Sequence, residues 1–447
     1  MRRWWMAAAA PAVAALACVP TLPKDPVPEA MDFDPQSFPP RVPQPTFLVV
    51  NQKTGHIDFS LAKLTIPADC TMQTTVSLAE CTFDQYLQSL DGFPTVTPAQ
   101  APATAALDPN TLTPGNVVAF AHVAQQPVTD LQLGFQTAGN SLTLRPKHWA
   151  PGEFYWLAVR GYAQGVKAVD GSEVVGVPAQ SLLKQETSLT CGAATLDAID
   201  NACPAFALLA PDGSSAQARM EAFDTLSKLE PVRAYLQDNG AWDDIATAGI
   251  PKDEVAVVWG FPIHSSSVAE LDPTPGIDLV PVLTKPNELT VGVQGPVDPA
   301  TVTAYVRGGN FGSVLVMDLT AAAAMDLVAG LPPVHVAYTG GNIVITGDTP
   351  FITGHQIGLF FTNAIKDPMG RPLVPSPVSK LLTFSAPLVD ASNRSTLSTV
   401  GDADAVMLEA GRKQLAMLFD NALFAQLTGL SRDNLVYCYA FAAGAAP

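Results

Sequence analysis

The side chains that could support nucleophilic catalysis are concentrated in one short segment. The run His264–Ser267 follows directly after an apolar stretch that ends at Phe261. A serine hydrolase needs a serine held on a sharp turn beside a histidine and an acid. The Gly-x-Ser-x-Gly sequence of many hydrolases occurs nowhere in the 447 residues. We therefore expect this segment to be a polar loop between domains, and we assign no catalytic residue.

Residues that commonly bind metal ions are scattered along the chain. The six histidines form neither the His-x-x-x-His nor the His-Glu helix pattern of zinc sites. Three acidic pairs could offer oxygen ligands to calcium, but none has the EF-hand loop pattern. We expect helix caps and solvated surface at these pairs, and no metal or cofactor. The pairs are Asp32/Asp34, Asp243/Asp244 and Asp402/Asp404.

Glycine-rich segments and tryptophans give no stronger indication of a ligand site. Gly308–Gly312 and Gly340–Asn342 lack the spacing of a dinucleotide or phosphate loop, and we interpret them as hairpin turns in which Gly and Asn accept positive φ. Trp149 and Trp242 could stack on a sugar or a peptide, although core packing is the commoner role of tryptophan.

The cysteines indicate an oxidising compartment. Cys70 and Cys81 are close in sequence, as are Cys191 and Cys203, so two local disulfides are the economical pairing. Each would stabilise the fold by about 2–3 kcal/mol through loop closure. Cys438 lies in an apolar strand, where we expect a buried and inert thiol.

The amino terminus has the pattern of an export signal. Arg2 and Arg3 precede an apolar run that is too short to span a membrane as a mature helix. Ala15-Leu16-Ala17-Cys18 resembles the lipobox of bacterial lipoproteins, with alanine in place of the usual leucine. The resemblance implies cleavage after residue 17, lipidation of Cys18 and stable anchoring, and Pro20 resembles the sorting position of outer-membrane lipoproteins. We therefore predict a lipoprotein signal peptide over residues 1–18, and an ordinary cleaved signal peptide with an incidental cysteine is the alternative.

Composition excludes some functions. The net charge of −17, from 41 acidic and 24 basic side chains, repels phosphate backbones, so we expect no nucleic-acid partner. Hydrophobic residues make up 48% of the chain, which is sufficient for large cores. Nine prolines between Val19 and Pro45 predict an extended tether over residues 19–42.

Two stretches repeat each other and define the predicted domain plan. Leu229–Phe261 and Met407–Phe441 each read as an amphipathic helix, a tight turn and an apolar strand, and Gly249 aligns with Gly429. Earlier in each half, the motif Leu107–Leu112 is echoed by Val297–Val302. Further echoes follow in the same order, so we predict one unit over 43–275 and a second over 276–447.

The first unit resembles a known family. The runs DGFPTVTP (91–98), LDPNTL (107–112), GNVVAF (115–120) and the long run 142–171 are similar to the amino-terminal domain of bacterial virulence-factor lipases and to bacterial Ig-like domains. The resemblance covers roughly residues 33–270 and implies an Ig-like β-sandwich. In the lipases a hydrolase domain with Gly-x-Ser-x-Gly follows this region, whereas here a second copy follows.

The sequence thus predicts a mainly β fold with helical additions: two tandem Ig-like β-sandwich units, each followed by a helix-turn-strand segment. The predicted function is a non-catalytic lipoprotein of the cell envelope, on the outer membrane, with a structural, adhesive or ligand-presenting role. Its expected contacts are the membrane, through the lipid anchor, and an envelope protein or glycan. The alternative is a lipase- or esterase-related extracellular protein whose hydrolase site has diverged or been lost.

Overall fold

A computed structural model describes residues 28–34, 41–62, 65–72, 76–136, 140–266, 268–269, 282–306, 311–323 and 330–443. Within these residues the chain forms eighteen strands in five sheets and nine α-helices. The fold is therefore β-rich with helical additions, as the sequence predicts.

The strands divide between the two halves of the chain. Those of the first half are β1 (Glu29–Met31), β2 (Ala99–Pro102), β3 (Val117–Ala121), β4 (Gln126–Pro127), β5 (Gln132–Gln136), β6 (Ser141–Arg145), β7 (Phe154–Arg160), β8 (Val174–Gly176) and β9 (Val255–Pro262). Those of the second half are β10 (Val268–Ala269), β11 (Val282–Lys285), β12 (Glu288–Gln294), β13 (Val314–Asp318), β14 (Val334–Thr339), β15 (Asn342–Gly347), β16 (Gln356–Thr362), β17 (Val374–Pro375) and β18 (Leu435–Ala442).

The helices begin where their sequences provide caps. The Ser77 hydroxyl accepts the Glu80 N–H at 2.9 Å, and the Ser215 hydroxyl accepts the Ala218 N–H at 3.1 Å, which satisfies amides that have no partner within the helix. Three short helices begin with proline at the first position. The helices are α1 (Leu78–Gln88), α2 (Pro178–Leu183), α3 (Pro204–Leu209), α4 (Ala216–Asp238), α5 (Ala241–Thr247), α6 (Leu319–Ala323), α7 (Pro377–Leu382), α8 (Asp402–Phe419) and α9 (Ala422–Thr428).

The first half has one large hydrophobic core. Sheet β2-β6-β5 and sheet β4-β3-β7-β9 both contribute to it, and α4 and α5 add Leu226, Leu229 and Ile245. Seven of the eight residues of β9 are buried. Its sequence is a continuous apolar run, as expected for a strand that is covered on both faces.

The second half repeats this arrangement in strand pairing. In the first half β9 pairs antiparallel with β7, and the register shifts between Val159 and Arg160. In the second half β18 pairs antiparallel with β16, and the register shifts at the corresponding point, between Phe361 and Thr362. The two sequence repeats therefore share the same antiparallel strand pairing and the same position of the register shift.

The echoed stretches 107–112 and 297–302 share the sequence Asp-Pro-x-Thr, and this motif has the same local geometry in both copies. The carboxylates of Asp108 and Asp298 each accept the N–H two residues later at 3.0 Å. The hydroxyls of Thr111 and Thr301 each donate to the Asp carbonyl at 2.7 Å. The motif therefore shapes a short helical turn.

Each helix-turn-strand segment contains two helices rather than the one that the sequence predicts. The first consists of α4, α5 and β9, and the second of α8, α9 and β18. Gly249 and Gly429 lie before the strand with φ of 104° and 67°. A side chain would strain these backbone conformations, which explains why glycine is shared by the two repeats.

The structure differs from the predicted tether, and it does not describe the predicted division between the two units. Within the tether interval 19–42, Glu29–Met31 pair in parallel with Val174–Gly176, and Met31 and Phe33 are buried. The structure corrects the prediction there, because these apolar side chains reach the core in spite of the surrounding prolines. The predicted division at 275 and 276 falls outside the described residues.

Helix α1 belongs to the first interval in sequence but packs on the second half. Phe83 and Tyr86 share a core cluster with Phe384 and Leu388, and the Tyr86 hydroxyl donates to the Pro375 carbonyl at 2.7 Å. The two halves are consequently joined by the packing of α1 on the second half, as well as by the chain connection.

The predicted disulfide pairs are present in the structure. Cys70 is bonded to Cys81, which ties the segment before α1 to the helix, and Cys191 is bonded to Cys203 just before α3. Each bond closes a short loop beside a helix that contributes to a core.

Candidate functional site

The serine-histidine segment lies at a polar contact between the two halves. Ser265 follows β9, and its N–H donates to the Asp91 carboxylate at 2.9 Å while its hydroxyl donates to the other oxygen of the same carboxylate. Arg371, from the second half, donates to the Ser265 hydroxyl and, at 3.0 Å, to the Ser265 carbonyl. We call Asp91, His264, Ser265, Asp367 and Arg371 the junction cluster.

Arg371 is held in place from its own side. Its Nε atom donates to Asp367 at 2.7 Å, and the Asp367 side chain is buried. Burial alone would raise the pKa of Asp367, but the hydrogen bonds and the charge of Arg371 outweigh burial and hold that pKa below its ordinary value. The guanidinium therefore spans from a buried carboxylate in one half to Ser265 in the other.

Burial and hydrogen bonding act in opposite directions on Asp91. Burial raises its pKa, yet the hydrogen bonds from Ser265 and the nearby His264 lower it by more, so the carboxylate has a pKa below its ordinary value. A carboxylate stabilised in this way is a weak base. It suits an ion-pair network better than proton abstraction.

His264 is the most buried member of the junction cluster, with 1% of its surface exposed. Burial lowers its pKa to about 4, and the Arg371 charge acts in the same direction, whereas Asp91 opposes it. The Nδ1 atom of the ring has no hydrogen-bond partner among the described residues. A neutral, enclosed ring is consistent with these facts.

The cluster has the residue types of a hydrolase but not the arrangement. The Ser265 hydroxyl donates to Asp91 and accepts from Arg371, so its proton and a lone pair are both engaged. In a catalytic triad the serine proton is directed to the histidine, which the acid orients. The junction cluster instead links Ser265 of the first half to Arg371 of the second.

Two cavities lie in the first half, and the smaller one includes Asp91 of the junction cluster. A cavity of about 180 Å³ is lined by Phe47, Asn51, Asp91, Phe154 and Tyr235 among others, and the Phe47 and Tyr235 rings stack at 4.4 Å. It is smaller than the roughly 300–1,000 Å³ of most ligand pockets. A second, of about 330 Å³, is lined by residues that include Phe33, Val177 and Leu229.

Two histidine-aspartate pairs resemble parts of catalytic sites. His122 lies 2.5 Å from the Asp244 carboxylate, and His355 lies 2.6 Å from that of Asp318. The second oxygen of Asp318 accepts two amides at the start of α6, at 3.0 and 2.9 Å. That aspartate is therefore a helix cap that also orients a histidine.

Each half contains an ionic contact that was not predicted from the sequence. We call these two contacts, Glu409 with Arg412 and Glu230 with Arg233, the Glu-Arg clamps. In the second half Arg412 donates two hydrogen bonds of 2.7 Å to the Glu409 carboxylate. The same carboxylate accepts the Leu388 N–H at 2.9 Å. Arg412 also donates to the carbonyls of Phe384 and Ser385. Helix α8 thus binds the backbone of the segment that follows α7.

The first half has the same clamp. Arg233 bonds Glu230 at 2.9 and 2.8 Å, and Glu230 accepts the Leu189 N–H at 2.7 Å. Arg233 in turn donates to the carbonyls of Gln185 and Glu186. The signal was present in the sequence as Leu-Glu-x-x-Arg at aligned positions of the two repeats, but a solvated i,i+3 pair has the same spacing.

The remaining predicted sites have structural surroundings. Cys438 is buried, and burial raises the pKa of its thiol to about 12. Trp149 and Trp242 are buried, and the acidic pairs at 243–244 and 402–404 lie in the first turns of α5 and α8. Asp32 and Asp34 contact Arg41 at 3.1 and 3.6 Å. Cys18 and Gly308–Asn310 lie outside the described residues.

Across the described ranges, no group of three or more histidine, cysteine or acidic side chains could hold a metal ion. None of the helices within those ranges is both long enough and apolar enough to cross a bilayer.

Comparisons with known proteins identify no family. No family model and no curated protein matches the chain. Among solved structures it is similar to three of the surface layer protein SbsC. Domains 1–6 share 16% identity over 18% of this chain and 12% of that one, with a TM-score of 0.15.

The other two cover more of this chain. The N-terminal part of the bacterial S-layer protein SbsC shares 14% identity over 44% of this chain and 35% of that one, with a TM-score of 0.17. A longer SbsC structure shares 15% identity over 44% of this chain and 20% of that one, with a TM-score of 0.17. The chain thus spans well under half of each structure.

Proposed function

We propose that this chain is an exported, non-catalytic protein of the cell envelope whose folded part has a structural or adhesive role. The observation that carries the proposal is the state of the junction cluster. Its serine, Asp91 and Arg371 are committed to the contacts at which the two halves meet, and Asp367 holds Arg371 in place. Groups held in this way stabilise an assembly of domains, and they are poorly arranged for turnover.

The architecture that we propose is two tandem Ig-like sandwich units. It is supported by the matching pairing of β9 on β7 and of β18 on β16, and by the matching Glu-Arg clamps. Buried ionic contacts of this kind are consistent with two units that keep fixed surfaces. Fixed surfaces suit the presentation of a binding face to an envelope protein or a glycan.

Export is supported by the two disulfides, which persist in oxidising compartments. For the anchor we propose lipidation at Cys18 and location at the outer membrane, on the strength of the lipobox resemblance. The strongly acidic composition argues against a nucleic-acid partner.

The catalytic alternative can be tested at Ser265. Purified full-length chain and its Ser265→Ala and Ser266→Ala variants are assayed with a panel of short-chain esters and a serine-directed inhibitor. The proposal expects no turnover by any of the three, and a lower melting temperature for Ser265→Ala only, because only Ser265 joins Asp91 to Arg371. Ester hydrolysis that is lost in Ser265→Ala and retained in Ser266→Ala would establish the lipase-related alternative.

The anchor is tested separately by fractionating cells that express the chain or its Cys18→Ala variant. We expect the chain in the membrane fraction and the variant in the soluble fraction. A membrane-bound variant would contradict lipidation while leaving the non-catalytic role intact. A pull-down from envelope extract then asks which protein or glycan the folded part binds.

A further inference from the structure

The large sheet of the second half ends in an open edge strand. In the order β14-β15-β12-β10-β17, β14 has a strand neighbour on one side only within the described chain. All six of its residues pair with β15 in unbroken register. Natural edge strands are commonly protected by lysine, proline or a bulge. The β14 sequence contains none of these features.

The hairpin determines which backbone groups of β14 face outward. Gly340 and Gly341 have φ of 59° and 80°, as a two-residue type I′ turn requires, so Thr339 and Asn342 form the closing hydrogen-bonded pair. Hydrogen-bonded and non-hydrogen-bonded pairs alternate along an antiparallel ladder. The N–H and C=O groups of residues 334, 336 and 338 therefore point away from β15.

The side chains of these same residues lie at the rim of the core. Val334, Val336 and Tyr338 are partly buried and pack against the hydrophobic core of the second half. The residues between them are exposed. An added strand with apolar residues at alternate positions would cover the rim and would satisfy the outward backbone groups at the same time.

We propose that the occupant of this edge is β14 of a second copy, paired antiparallel about a two-fold axis at Val336. In this register Val334 lies opposite Tyr338 of the other copy, and Val336 lies opposite Val336. Three hydrogen-bonded pairs with two bonds each would form, which satisfies every outward group of residues 334, 336 and 338. Two-fold contacts of this kind are the commonest in soluble oligomers.

Charge and length favour this strand and this partner. The chain has a net charge of −17, which opposes association of two copies, but β14 has no acidic or basic residue other than His335. In the proposed register His335 faces Ala337, so no charge lies opposite another. In the sheet β2-β6-β5 of the first half, the edge strand β5 has five residues with Gly134 at its centre, and glycine weakens strands.

The register is tested by crosslinking full-length chain with a single added cysteine. Val336→Cys places the new cysteine opposite its own copy, at a distance that a disulfide can span. Thr339→Cys, at the end of the same strand, would be separated from its own copy by roughly 20 Å. We expect a disulfide-linked dimer on non-reducing gels for Val336→Cys alone. A dimer for both variants or for neither would overturn the proposed register.

The association itself is tested by sedimentation equilibrium of full-length chain in detergent. The unmodified chain and Val336→Thr, which keeps the backbone N–H and the β-branched shape, are expected to be dimers. Val336→Lys, which directs a charge to the rim, is expected to be a folded monomer, with its folding measured by circular dichroism. A monomeric unmodified chain, a dimeric Val336→Lys variant, or polymers larger than a dimer would overturn the proposal.

Discussion

The buried histidine of the junction cluster predicts a specific dependence of stability on pH. His264 has a pKa of about 4 in the folded chain, compared with the ordinary histidine value of 6.5. The unfolded state therefore binds more protons between these values, so stability rises with pH across the interval. The contribution of His264 is fully present above about pH 6.5 and is lost as pH falls toward about 4.

The magnitude follows from the difference in pKa. Two and a half pKa units correspond to about 3 kcal/mol in the free energy of unfolding. Because the ring is almost fully buried, solvent screening reduces this value little. Protonation would place a positive charge beside Arg371, and it would weaken the contact through which that arginine joins the halves.

The perturbation is His264→Gln, which removes the titrating ring and keeps a polar side chain. Urea denaturation of the unmodified chain and the variant is followed from neutral pH to about pH 4. We expect the unmodified chain to lose about 3 kcal/mol more than the variant over this range. The comparison also cancels Asp84, whose pKa burial raises to about 7 and which acts with the opposite sign. Parallel curves for the two proteins would refute the reasoning.

Three further predictions concern the duplicated elements and the disulfides. Glu409→Gln leaves the buried Arg412 without its carboxylate and should cost about 3–5 kcal/mol in chemical denaturation. Glu230→Gln should cost less, because the Glu230 side chain is 22% exposed against 5% for Glu409; equal losses would contradict this reasoning. Gly429→Ala should lower the melting temperature more than Gly249→Ala, because a Cβ at 429 would lie 2.7 Å from the Phe311 ring whereas nothing lies within 4 Å at 249. Replacing Cys70 and Cys81 together by serine should cost about 2–3 kcal/mol more under oxidising conditions than under reducing ones, because the buried hydroxyls cost the same in both, measured by thermal denaturation with and without reductant.

Local features of the structure could be predicted from the sequence. The cysteine pairs, the Asp-Pro-x-Thr turns and the glycine before each final strand all depend on residues that lie within a few positions of one another. The similar motifs occur in the same order in both halves, and this order predicted the duplication. Similar sequences have similar local conformational preferences and therefore form similar elements. The polar loop after Phe261 was also expected where it is found.

Contacts between distant residues could not be predicted in this way. Helix α1 is followed by the rest of its own unit in sequence, but Phe83 packs with residues some three hundred positions later. The Leu-Glu-x-x-Arg pattern was visible, yet only its surroundings distinguish a buried clamp from a pair on a solvated helix face. The pattern of apolar residues in a single sequence shows that one face of a helix will be buried, but it does not show which surface will cover that face.

The sequence by itself determined the β-rich class, the duplication and the cysteine pairing, because periodicity, turn residues and loop closure are local physical properties. The tertiary structure decided which residues contact the serine-histidine segment. Residue types alone were compatible with a hydrolase fragment, but Asp91 and Arg371 approach Ser265 from positions 174 and 106 residues away. Which atoms accept and donate at that serine is set by the packing of two halves, and this packing makes the segment a junction.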